Sequence, residues 1–125
     1  FVSVIRGYNS ALVKQDKSMK LNVYVNENMT QLDVPADMLQ EAQPIFDKMD
    51  QDMDQGWQMS REWVQDLDTA QRCKVVADRM LTAIETNNQS SAMLMAGYIM
   101  SRMPKVSTIH IATDGDIFQT QLIEG

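Results

Sequence analysis

The sequence predicts an α+β domain of ββαααββ order: hairpins at the two ends form an antiparallel sheet, and three central helices pack on one face of it. Three patterns carry this. Residues 20–34 alternate apolar and polar side chains around Asn26-Glu27-Asn28. Residues 36–103 place apolar side chains at steps of three and four. A second alternating stretch surrounds Asp114-Gly115.

In the first hairpin, Leu21, Val23 and Val25 face one way and Lys20, Asn22 and Tyr24 the other. Asparagine tolerates positive φ, so Asn26-Glu27-Asn28 supplies the turn, and Thr30, Leu32 and Val34 continue the return strand. Helix is expected from 36 to 64, with its apolar stripe running through Leu39, Ala42, Ile45 or Phe46, Met49, Met53, Trp57, Ser60 and Val64. Pro44 is placed to kink or restart it, and Gly56 to weaken it by up to about 1 kcal/mol. Asp68 with Gln71 three residues on forms a capping-box pattern. It opens a helix whose buried stripe holds Cys73, Val76, Ala77, Met80, Leu81 and Ile84. Asn87-Asn88 ends that helix and Ser90 caps the next, which spans 91–103 and is apolar on nearly every side up to Pro104. In the last hairpin, a two-residue turn at Asp114-Gly115 pairs Ile111 with Phe118 and Ile109 with Thr120. Ile109, Ile111, Phe118, Thr120 and Leu122 then share one face, and Thr108, His110, Ile117, Gln119 and Gln121 the other. The strand order is open, because hairpins at the two ends can pair in several ways.

A chain of 125 residues is read as a single domain, 1–125, that buries roughly two thirds of its unfolded surface. Met19 opens Met-Lys-Leu-Asn-Val as an initiating methionine would. Residues 1–18 are therefore read either as an extension preceding a native start at Met19 or as an edge strand from Phe1 to Arg6, broken at Gly7. The single cysteine rules out an intramolecular disulfide framework, and the single histidine rules out any scheme needing two. The net charge of −6 is uneven: +3 over residues 1–26, −9 over 27–68 and zero over 69–125. So acidic a middle repels phosphate, which argues against nucleic acid and against an anionic membrane surface. It fits a solvated helix face, or a docking face for a basic protein partner at the acidic first helix. No apolar run approaches the roughly 20 residues of a membrane span, and the chain is read as cytoplasmic.

The candidate chemistry is sparse. Asp50-x-Asp52-x-Asp54 with Gly56 and Glu62 resembles a calcium loop, but glycine and glutamate each fall one position late. It reads better as a helix face with Asp47, Asp50 and Asp54 adjacent. Met93, Met100 and Met103 could suggest Cu(I), yet no histidine or cysteine supports them, and eleven methionines suit core packing or an adaptable interface. Cys73 reads as an inert buried thiol, and His110 as a solvated residue opposite Gln119. No spacing singles out a pair from Asp78, Glu85, Asp114 and Asp116. No catalytic residue, metal ligand or cofactor is therefore assigned, and the reading leans away from an enzyme. Trp57 and Arg61, four apart on the expected helix, join Met53 and Trp63 as a candidate binding face, since tryptophan and arginine dominate interaction hot spots; the competing reading is that both tryptophans close the core against the sheet. The function expected is a non-enzymatic interaction or regulatory module. The apolar helix 91–103 argues for a homodimer. The competing expectation is a small-molecule sensor or minor enzyme, with a pocket lined by methionine and aromatic side chains.

Overall fold

The computed structural model describes residues 18–125. The readings of the segment before Ser18 lie outside the described residues. The chain runs β1 (Ser18–Val25), β2 (Asn28–Pro35), α1 (Ala36–Glu41), α2 (Gln43–Met53), β3 (Trp57–Gln58), β4 (Trp63–Val64), α3 (Thr69–Glu85), α4 (Gln89–Arg102), β5 (Val106–Ile111), a 3-10 turn (Ile117–Gln119) and β6 (Gln121–Glu124). This is the expected α+β class, with the helices between two terminal hairpins.

The first hairpin closes on a two-residue turn with Asn26 at φ 57°, and Leu21 lies opposite Leu32. The four-stranded sheet has the order β2-β1-β5-β6. Its central pair corrects the fully antiparallel expectation: β5 runs parallel to β1, with Val23 beside Ile109. The helices return the chain to the end of the sheet where β1 begins, so β5 can only run alongside it. β6 then pairs antiparallel with β5, beside a register irregularity between Val106 and Thr108.

One face of the sheet meets the helices. Leu21, Val23, Val34, Ile109 and Ile111 are buried there, against a core that includes Phe46, Met80, Tyr98 and Ile99. Burying apolar surface stabilises by about 25 cal/mol per Å², so this layer supplies most of the driving force. The opposite face carries Asn22, Tyr24, Gln31 and His110.

The helices follow their caps. Pro44 sits in the first turn of α2, where its missing N–H costs nothing, and restarts the helix after Ala42. The Asp68 side chain accepts from the Gln71 N–H at 2.8 Å and the Gln71 side chain from the Asp68 N–H at 3.0 Å, completing the capping box. Asn88, not Ser90, caps α4, accepting from the Ser91 N–H at 3.1 Å. Asn87 takes a φ of 57° just before it, so the two asparagines divide the stop and the start between them. Ala92, Ala96, Gly97, Ile99 and Met100 of α4 are buried within this one chain. A Cβ on Gly97 would collide with the Met38 side chain and stand 3.0 Å from Phe46 Cζ, so side chains of both α1 and α2 lie directly on the α4 backbone. The apolarity of this helix is thus met in large part by its own fold, while Met93, Leu94 and Met95 stay half-buried.

Two expectations about element ends are corrected. The helix expected to reach 64 stops at Met53, and Gly56 takes a φ of 97° that no helix contains. Asp114-Gly115 is not a two-residue hairpin turn, because β6 starts only at Gln121 and Ile109 pairs with Leu122 instead of Thr120. Side chains intervene there. Asp114 accepts from the Asp116 N–H at 3.0 Å and Asp116 from the Phe118 N–H at 3.2 Å, which winds the chain into the 3-10 turn. That turn buries Ile117, which simple alternation placed on the polar face.

Candidate functional site

Three places on the surface gather functional side chains. The first is the segment that replaces the end of the expected helix. The Gly56 N–H donates to the Met53 carbonyl at 3.0 Å, and the chain turns back on itself. Trp57 then pairs with Val64 and Gln58 with Trp63 in a short hairpin. The Met59 N–H donates to the Glu62 carbonyl at 3.2 Å, and the Met59 carbonyl accepts from the Ile117 N–H at 2.9 Å. Met59 itself is buried and pins the hairpin to the core. The Trp63 indole lies over Gly56, where a Cβ would stand 2.6 Å from its Nε1. The glycine thus provides both the positive φ and the floor for the ring. Trp63 remains 54% exposed, Arg61 is exposed and Trp57 half-buried.

The proposed binding residues therefore meet different fates. Trp57, Arg61 and Trp63 all lie on the hairpin, but its register sets Trp57 beside Val64 and Trp63 beside Gln58, on opposite faces, and no helical face joins Trp57 to Arg61. Met53 is fully buried in the core and offers no contact surface.

The second place is a polar knot between α2, α3 and α4. Asp50 accepts from the Tyr98 hydroxyl, from Arg72 Nη1 at 3.1 Å, and from Arg102 Nη2 and Nε at 2.9 and 3.2 Å. Arg72 also donates to Asp54 at 2.6 Å and to the Leu67 carbonyl at 3.1 Å. Arg102 reaches Asp47 at 3.2 Å and Gln43 at 3.0 Å, and its guanidinium lies 5.2 Å from the Tyr98 ring centre. Burial by itself pushes the Asp50 carboxyl up, but hydrogen bonds from Tyr98, Arg102 and Arg72 outweigh it and hold it below the ordinary carboxylate value. Burial and the Asp50 charge push the Tyr98 phenol up. A carboxylate surrounded by donors and held ionised is a poor proton acceptor, so the knot suits fastening helices rather than acid–base work.

The same contacts dispose of the calcium pattern. Asp54 is paired with Arg72 and Asp52 with Lys48 at 2.7 Å, and Asp50 and Asp52 sit within α2. Among the described residues no group of three histidine, cysteine or acidic side chains is placed to hold a metal ion. Sequence reasoning missed Arg72, Tyr98 and Arg102 as partners of Asp50. The available signal was the i,i+4 spacing of Tyr98 and Arg102 on a helix next to an acidic one.

The third place is an open groove of about 460 Å³ at the far ends of β1 and β5. Tyr24 and His110 are neighbours in the parallel register and stack at 4.6 Å with their planes 4° apart. The Thr113 hydroxyl donates to Asn26 Oδ1 at 3.1 Å, and Asp114 and Asp116 line the rim. Both carboxylates hold their own loop. His110 lies opposite Gln121, not Gln119. Cys73 is buried on α3, and its thiol is pushed up to about 12 by burial and by the Asp50 charge. With Cys73 under the sheet and His110 on its outer face, the two form no nucleophile–base pair. Compared with protein-family models, with curated proteins and with solved structures, the chain has no significant match.

Proposed function

We propose that this chain is a non-enzymatic interaction module that acts as a homodimer and presents the Trp57–Trp63 hairpin to a protein partner. One observation carries the reading: Trp63 keeps more than half of its surface in solvent while its ring is seated on Gly56. A large apolar ring held in one place loses little conformational freedom on binding, and Arg61 beside it can anchor a polar rim. The acidic first helix is the weaker docking face for a basic partner, since Asp47, Asp50 and Asp54 already engage Arg72 and Arg102. Among the described residues no helix is long and apolar enough to cross a membrane. The cytoplasm is the compartment we propose, where a lone buried thiol such as Cys73 persists unoxidised.

The test is affinity capture with the wild-type chain and with an Arg61→Ala, Trp63→Ala double variant. The double variant is expected to stay folded by circular dichroism and to hold the captured protein at least tenfold more weakly. Undiminished capture by the double variant would overturn the hairpin as the contact surface. A wild-type chain that retains no protein but gains melting temperature with a small molecule would favour the sensor reading instead.

A further inference from the structure

We propose that two copies of this chain join through their β2 strands, edge to edge and antiparallel, to make one continuous eight-stranded sheet. The inference rests on the homodimer reading above and names the surface that makes it.

The two edges of the sheet are built differently. β6 has four residues, ends at Glu124 and lies against the irregularity at Val106–Thr108. Short length, a terminal charge and local irregularity are the usual protections of an edge strand. β2 has eight residues in unbroken register with β1, and among the described residues no strand lies on its outer side. It contains no lysine and no bulge, and its proline stands at the last position. Asp33 is its only charged residue and lies opposite Lys20 of β1. An edge that is long, regular and nearly neutral is one that pairs.

The hairpin sets the register of that pairing. A two-residue turn makes Val25 and Asn28 the closing hydrogen-bonded pair. Hydrogen-bonded and open positions then alternate, so Asn28, Thr30, Leu32 and Val34 spend their main-chain groups on β1. Met29, Gln31 and Asp33 direct theirs outward. An antiparallel copy centred on Gln31 sets Gln31 opposite the partner's Gln31, and Met29 opposite the partner's Asp33. This gives about six main-chain hydrogen bonds. The two Asp33 carboxylates stand at opposite ends of the junction, so neither lies directly opposite its own copy.

A groove lies beneath the same edge. It has a volume of about 530 Å³ and runs between β2 and the corner joining α3 to α4, with Leu32, Ile84, Ala92 and Met93 among its walls. In the register above, the partner's Thr30 and Leu32 point to this side of the sheet. Each copy thus offers a groove and the side chains that enter the other copy's groove, as a two-fold interface requires. Strand addition takes its affinity from the main chain and its selectivity from such pockets.

Sedimentation velocity over a wide concentration range, with three variants of the full chain, tests this. The wild type is expected to dimerise. Gln31→Pro removes an outward N–H and Met29→Lys adds a charge at the edge. Each should weaken association at least tenfold while the circular dichroism spectrum stays native. Gln31→Cys should give a covalent dimer on mild oxidation, since paired Cα atoms about 5.5 Å apart accept a disulfide. Asn22→Cys, on a strand flanked on both sides, should not, and buried Cys73 stays silent. A wild type that is monomeric throughout would overturn the homodimer reading and this surface together. A dimer that is unaffected by Gln31→Pro and Met29→Lys and fails to cross-link through Gln31→Cys would overturn this surface alone. A dimer lost instead on Tyr24→Lys would move the interface to the outer sheet face. A monomer whose Gln31 amide is protected from hydrogen exchange would show that another occupant already covers the edge.

Discussion

α2 and the Trp57–Trp63 hairpin follow one another in the chain and are built on opposite terms. α2 spends its charges inward: Asp50 is held by three donors from two other helices, and Phe46, Met49 and Met53 are buried beneath it. The hairpin has two short pairings, one buried residue in Met59 and a tryptophan in solvent. The first region is over-determined, so its acidic residues say little about partners. The second has little structural use for its most expensive side chain, and that makes Trp63 the better pointer to function. An acidic cluster and an exposed aromatic look equally suggestive in a sequence, and only their partners separate them.

The largest expected break in this contrast is Asp50→Ala. It leaves two arginines and a phenol partly buried without their shared acceptor, and should cost about 2–4 kcal/mol, read as a lower urea midpoint. Arg72 and Arg102 keep Asp54 and Asp47, which holds the loss below that of a fully buried charge. Gly56→Ala comes next. It puts a Cβ 2.8 Å from the Val64 carbonyl oxygen at a φ of 97°, and should cost about 1–3 kcal/mol. The tryptophan emission should shift as Trp63 leaves its seat, while the far-ultraviolet spectrum keeps its helical signal.

The knot also sharpens the contrast through pH. Asp50 binds its proton less readily in the folded chain than in the unfolded one. Its contribution is therefore complete above the unfolded carboxylate value and is lost as pH falls through the lower folded value. Wild-type stability should fall below about pH 4 more steeply than that of Asp50→Asn, measured by urea titrations at stepped pH. The smallest effect belongs to Trp63→Ala, which should change stability by no more than about 0.5 kcal/mol, as for an exposed side chain outside the core.

Signals carried within a few residues were legible before the fold was known. The first hairpin, the Asp68–Gln71 capping box and the restart at Pro44 each depend on near neighbours, and each forms as read. Gly56 shows how a periodic pattern misleads. Trp57 and Val64 continue the apolar spacing of α2, so the glycine counted as a small helical penalty, whereas its positive φ ends the helix outright. Asp114-Gly115 carried a strong local turn signal that two aspartate side chains overrode by binding the next amides. The Asp50 knot was barely legible for another reason: its partners lie 22, 48 and 52 positions away, and the i,i+4 spacing of Tyr98 and Arg102 pairs those two without naming Asp50. Of the proposed binding face, the nearness of Trp57, Arg61 and Trp63 in the chain was legible, but their place on a hairpin that turns the two tryptophans to opposite faces was not. The burial of Met53 was not, because it depends on which way α2 turns on the sheet.

The parallel pairing of β1 with β5 joins the start of the described chain to its end. During synthesis the first hairpin emerges before the helices and can close at once, yet among the described residues the inner side of β1 has no strand neighbour until β5 has been made. Until then the hairpin is a two-stranded ribbon that, among the described residues, has both edges unpaired and Leu21 and Val23 uncovered. Contacts this distant in sequence also slow refolding, because the loop that brings them together must close before they repay it. The helices, whose contacts are local, have the chance to form first and offer the ribbon a surface to settle on. β5 is the strand that ties the first hairpin to β6 in one sheet, so the two ends of the described chain depend on it alone for their sheet connection.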